Sequence, residues 1–312
     1  MTADLSAYYF APRSSTVATT LEPSYLIIIA IFASLLLMQL NQRMASPLLA
    51  IADRWLRWLV FAFGGALFCR DYELIDRPFW ALASVFFIVW FLGETLYNWL
   101  AISALSVSPL PLFPRYAVNT SGEEWPVQPR LLKIREWLRA QGFRQVQALK
   151  AEIGGGIYLR VSVYQDAQAS VRVQVTFLPQ ANGALSVCFA VTSIAADGAR
   201  YLTDNLYIPF AGFYPENWFV ERSPWRRSLP RLLARHRARV ARAGVTTVPF
   251  STEPLADLNA AQSELDALNT EMGFLHSHAE REELGKITHE GRYRVWKEIW
   301  MLNYLGRAAR YE

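Results

Sequence analysis

The first hundred residues carry long apolar stretches with few interruptions, and the remainder alternates short periodic runs with turn signals. Tyr25 to Leu40 is 16 residues without a charge, and with its flanks it reaches the length needed to cross a bilayer. Glu22 precedes it and Asn41-Gln42-Arg43 follows. A cleaved leader has a basic start and a small-residue exit, so the segment reads as an anchor. A second apolar segment, Leu56 to Cys69, reaches spanning length if it starts near Leu48 and takes Asp53, Arg54 and Arg57 into the headgroup zone, where long arginine side chains snorkel. The third runs from Phe79 to about Leu105 and encloses Glu94 and Asn98. The pattern predicts three spans, near residues 24–41, 48–69 and 79–105, after a tail of residues 1–23.

Beyond residue 105, Pro109, Pro111, Pro114, Pro126 and Pro129 break any helix, which predicts an extended linker over 106–129. Leu131, Ile134 and Leu138 then share a face at helical spacing, with Gly142 placed to cap the helix. The period next changes to two. Ile157 to Tyr164, Val171 to Phe177 and Leu185 to Val191 alternate apolar and polar positions, with Asn182-Gly183 and Asp197-Gly198 as turn pairs. Further strands are predicted over Val146 to Ile153 and Tyr201 to Ile208. Local hairpins imply an α+β domain over 130–250, built on an antiparallel sheet with packing helices. A helical region over 251–312 follows it. Ser251 or Thr252 caps a helix in which Leu258, Leu265, Met272 and Ala279 repeat every seven residues. This predicts a coiled-coil seam over 258–279 that could pair with a second copy or fold back on its own domain. Val295, Ile299 and Leu302 lie beside Trp296, Trp300 and Tyr304 near the end, a broad face suited to the domain core or the bilayer interface.

Charge changes the picture in three places. The chain carries a net +4, and the arginines at 222, 226, 227, 231, 235, 237, 239 and 242, in a stretch without an acid, account for more than all of it. Leu229, Leu232, Leu233, His236 and Val240 line one side of this stretch and arginines the other, which makes a basic amphipathic helix. Arg226, Arg227, Arg231, Arg235, Arg239 and Arg242 are the residues expected to meet anionic lipid or a protein partner. Nucleic acid is not expected, since no RNA-binding motif accompanies them. Among the spans, Arg43, Arg54 and Arg57 collect after the first, whereas the tail holds only Arg13. That predicts an external N-terminus and a cytoplasmic domain. Glu94 lies about 22 Å into the third span and Arg57 about 18 Å from Cys69 at 1.5 Å per residue. Antiparallel neighbours would therefore bring these two intramembrane charges to similar depth, either coupled or both reaching the headgroups.

Candidate chemistry is sparse. Gly154-Gly155-Gly156 lacks the lysine, the hydroxyl residue and the following helix of a phosphate loop, and reads as a turn or bulge. On one helix His276, Glu280 and Glu283 would share a face, but no metal motif surrounds them and none is assigned. The two cysteines, Cys69 and Cys188, form no pair motif, and no cofactor fingerprint is present. Tyr207, Phe210, Phe213, Tyr214, Trp218 and Phe219 crowd one proline- and glycine-broken segment, either an exposed recognition loop or a lid over the core.

Asp197-Gly198, Thr203-Asp204-Asn205, the aromatic segment and Leu229 to His236 together resemble an uncharacterised family of bacterial membrane-anchored proteins with N-terminal transmembrane helices and a cytoplasmic α+β domain. The resemblance implies a bacterial inner membrane and supplies no activity. The sequence thus points to a membrane-anchored, non-enzymatic interaction, scaffold or sensory module. The alternative is a membrane-bound hydrolase or ligand-modifying enzyme using His236 or Asp204, for which no nucleophile elbow or glycine fingerprint is found.

Overall fold

The computed structural model describes residues 23–308 apart from 45, 122–124, 155, 180–184 and 208. The N-terminal tail, Gly155 and the Asn182-Gly183 turn therefore lie outside the described residues. Three helices come first: α1 (Pro23–Met44), α2 (Pro47–Asp71) and α3 (Phe79–Val107). Pro47 and Pro78 stand where a proline does not interrupt a helical hydrogen bond, so each chain reversal restarts cleanly. Two of the three helices are long and apolar enough to cross a membrane, over Ser24–Gln42 and Phe79–Val107. The charges at Asp53, Arg54, Arg57 and Arg70 set α2 apart. It packs between the other two through small residues: Ala62 and Ala66 are buried, and a Cβ on Gly65 would stand 2.7 Å from the Phe86 ring. Such small side chains let helices approach closely where apolar burial gives no drive.

At 29 residues, α3 is about 43 Å long and outruns a hydrocarbon core of about 30 Å. Its last turns become domain core. Ile102 is buried with Ala211, Phe274, Leu275, Ile287 and Val295, and the Ser106 hydroxyl accepts the Ile287 N–H at 2.9 Å.

The domain is α+β. Its sheet runs in the order β1 (Tyr116–Val118), β2 (Arg144–Gly154), β3 (Ile157–Gln165), β4 (Arg172–Pro179), β5 (Leu185–Ala195), β6 (Arg200–Asp204) and β7 (Trp218–Arg222), with β8 (Thr247–Val248) on β5. Every pairing is antiparallel except β6 with β7. The period-two positions sort the faces. Tyr164, Val173, Val175, Phe177, Phe189 and Val191 pack under α4 (Pro129–Ala140) and α5 (Leu229–Ala243). Leu149, Val161 and Val163 point the other way and pack against Leu255 and Leu258 of α6 (Pro254–Glu271). After α6 come a short α7 (Arg281–Leu284), α8 (His289–Trp300) and a π-helical turn, Met301–Leu305.

Three expectations change. The proline-rich 106–129 stretch is not a free linker, because β1 pairs with β2, Asn259 clasps Tyr116 through both its N–H and its C=O, and Trp125 is buried. The 258–279 seam is not one helix. α6 ends at Glu271 and Gly273 turns the chain at φ 70°, a conformation that favours glycine. Ala261 and Leu265 are buried, and Leu275 has left the helix to bridge Ile287, so no seam is left for a second copy. His276 and Glu280 consequently precede α7 in a loop, and no cluster of three or more metal-ligating side chains occurs among the described residues.

Candidate functional site

Trp296, Trp300 and Tyr304 recur every four residues along α8 and the π-turn, so their rings share one side. That side docks on the apolar helices. Trp300 lies 5.0 Å from Phe91 and 5.7 Å from Trp58, and Tyr304 lies 5.3 Å from Trp55. The Trp55 indole N–H donates to the Tyr304 carbonyl at 3.1 Å. The Tyr304 hydroxyl donates to Glu94, which also accepts from Trp90 at 3.0 Å and pairs with Arg54 at 3.6 Å. Glu94 is thus coupled to Arg54, not to Arg57. Arg57 turns back along its own helix to Asp53 at 3.0 Å, and Asp53 is buried and accepts from Ser34 of α1 at 2.6 Å. Helical geometry separates the two arginines: three residues apart they diverge by about 60° around the axis, and the side facing α3 belongs to Arg54.

The arginine segment forms α5, with its inner side fixed by a histidine. His236 is wholly buried, with Nδ1 3.0 Å from the Thr203 hydroxyl and Nε2 3.1 Å from the Ser193 hydroxyl. Burial, reinforced by Arg239 and Arg237, lowers its pKa to about 4. The outer arginines fall into three groups. Arg226 and Arg227 stand in the turn before α5, exposed, and Arg227 donates to the carbonyl of Met44 at the end of α1 at 3.1 Å. Arg235 and Arg239 are held by Glu221 of β7, at 2.8 and 3.8 Å. Arg231, Arg237 and Arg242 are exposed and have no ion pair among the described residues. α5 begins beside the apolar helices and runs away from them, because its far end packs with the β5–β6 turn through Val240 and Val245. The opposite end of β6 leads to Tyr207, whose hydroxyl reaches the Leu302 carbonyl at 2.8 Å.

The aromatic segment folds over the second core. Tyr207, Phe210, Phe213, Tyr214 and Trp218 are half-buried and Phe219 is exposed. Phe210 stacks on Tyr214 at 4.6 Å. Asn269, fully buried, accepts the Phe213 N–H at 2.7 Å and donates to its carbonyl at 3.0 Å. Beneath lies a buried charge network in which Arg222 meets Asp204 at 3.5 Å, Glu298 at 3.6 Å and the Tyr214 hydroxyl at 3.1 Å. Burial raises the Asp204 pKa against the pull of Arg222 and pushes the Tyr214 phenol up to about 12.

Neither residue of the hydrolase alternative reaches solvent, since Asp204 is 1% and His236 0% exposed. A cavity of about 120 Å³ lies elsewhere, between Leu112, Phe113, Arg115, Gln262, Asp266 and Lys286. Two of its three cations are committed: Arg281 to Asp266 at 3.0 Å, and Lys286 to the Ser108 and Leu110 carbonyls. Cys188 and Cys69 are buried free thiols, and burial beside Asp204 raises Cys188 to about 11, away from nucleophilic use. Sequence reasoning missed Arg54, Asp53, Asn269 and Glu298. A lone asparagine on the apolar side of α6 was the one signal available. No family model, curated protein or solved structure matches the chain.

Proposed function

We propose that the chain is a membrane-anchored interaction module of a bacterial inner membrane, with three helices crossing, the N-terminus outside and the α+β domain in the cytoplasm. The observation that carries this reading is α3, whose apolar surface, Val85, Ile88, Leu92 and Leu96 among it, is exposed while its last turns bury Ile102 and Ser106 in the domain. The domain is mounted on the helices, with the α8 aromatic side as the second point of attachment. Trp55, Trp300 and Tyr304 have the amphipathic rings favoured at the interface. Arg226 and Arg227, beside the end of α1, are placed to meet anionic headgroups at about 1 kcal/mol each. The buried state of Asp204 and His236 supports a role in binding rather than catalysis.

Crossing number and side are tested together in spheroplasts, using an N-terminal epitope and a C-terminal fluorescent fusion. Three crossings put the termini on opposite sides, so added protease removes the epitope and leaves the fusion intact. Termini on the same side would refute three crossings and leave α2 lying outside the bilayer core.

A further inference from the structure

The helical layers on the two faces of the sheet carry opposite charge. α4 and α5, which share one face, hold nine basic side chains against Glu136, a net +8. Residues 253–290, which begin with α6 on the other face and continue through α7, hold nine acids against Arg281 and Lys286, a net −7. The fold leaves much of this charge unspent. On the basic side Arg231, Arg237 and Arg242 are exposed and lack an ion pair among the described residues, with Ala234, Ala238 and Ala241 between them leaving the helix backbone open to close approach. On the acidic side Glu264, Glu271, Glu282 and Glu283 are exposed and equally unpaired among the described residues.

We propose that the chain associates with copies of itself face to back, the arginine side of α5 in one copy meeting the glutamate side of α6 and α7 in the next. Charge complementarity selects a second copy, since the two segments carry nearly equal charge of opposite sign. Geometry supplies the alignment, and here the inference rests on the reading of a tethered module. α5 runs away from the apolar helices, so both charged layers face sideways, and tethering stands every copy the same way up. The contact joins two different surfaces, so each copy keeps one free patch of each sign and the assembly grows into a row or closes into a ring.

The test uses the full chain reconstituted in vesicles of neutral phosphatidylcholine, with association read by energy transfer between differently labelled copies. Oligomers are expected at about 0.1 M salt and protomers at about 1 M, where screening shortens to about 3 Å. R231E/R237E/R242E and E271K/E282K/E283K should each associate at least about tenfold more weakly, a loss of about 1.4 kcal/mol. Combining the two variants should restore association, because the two intact patches, and likewise the two reversed ones, then meet with opposite sign. Restoration also shows that both variants are folded. A protomer at about 0.1 M salt, association indifferent to either triple change, or a mixture that stays dissociated would overturn the proposal. So would a wild-type protomer whose arginines instead bind anionic vesicles or an acidic peptide. None of these outcomes touches the tether, which the epitope experiment reads separately.

Discussion

His236 makes stability depend on pH in a calculable way. The imidazole is enclosed between Ser193 and Thr203, and its pKa is lowered from 6.5 to about 4 by burial and by Arg239 and Arg237. In the unfolded chain it titrates at about 6.5. Below that pH the unfolded state binds a proton that the folded state refuses, so this contribution is complete above about pH 7 and is lost as pH falls toward about 4. Between about pH 7.5 and 5 the loss amounts to about 2 kcal/mol, or about 4–8 °C in melting midpoint for a domain of this size. The assay is thermal unfolding of the full chain in micelles by tryptophan fluorescence, comparing wild type with His236→Gln, which keeps a donor and an acceptor but cannot titrate. Every other group contributes alike to both proteins, so the difference between their pH slopes isolates His236. Parallel slopes would refute the buried neutral imidazole. His236→Leu should instead lose stability at every pH, about 1–3 kcal/mol for each hydroxyl left unpartnered.

Three further outcomes follow from the packing. Arg222→Met removes the cation that Asp204 and Glu298 share and should destabilise by about 3–5 kcal/mol in urea unfolding, with much of the loss recovered in R222M/D204N/E298Q. Gly306→Ala places a Cβ 1.8 Å from Trp225, at a glycine with φ 63°. Displacing that indole should loosen the turn that carries the exposed Arg226 and Arg227, and trypsin should cut there faster than in wild type. Asn269→Ala frees both backbone groups of Phe213 and should cost about 1–3 kcal/mol, read as a lower urea midpoint.

What was legible in the sequence is what periodicity encodes. The five strands from Arg144 to Asp204 match alternating runs, α5 matches its leucine spacing, and the first two helices begin and end close to the apolar boundaries. What was not legible depends on partners distant in the chain. β1 is three residues long and exists because β2 and Asn259 hold it. β7 lies parallel to β6 after a connection that no hairpin rule covers. The seven-residue repeat outruns the helix, because Gly273 breaks it before the repeat ends, and Ala261 and Leu265 are buried within the chain's own fold. Depth alone made Arg57 a candidate partner for Glu94, beside the reading in which both reach the headgroups. Depth fixes the level of a charge, but rotation about the helix axis fixes its neighbour, and that rotation is set by Trp55 and Trp58 packing under Trp300 and Tyr304.

The folded proline-rich segment determines how strong a contact between copies has to be. A flexible chain of that length would have an end-to-end distance of about 27 Å and let the domain tumble over the bilayer. Instead Ile102, Ser106, Leu112, Phe113 and Trp125 are all used in packing, and α8 fixes the domain a second time. On the proposed membrane-anchored reading, two such domains in one bilayer share orientation and confinement, which removes much of the entropy that association in solution must overcome. Exposed charge pairs are worth only about 0–1 kcal/mol each, too little to join freely tumbling molecules. Held upright at high local concentration, a few of them suffice, and a contact of that strength remains reversible and sensitive to salt.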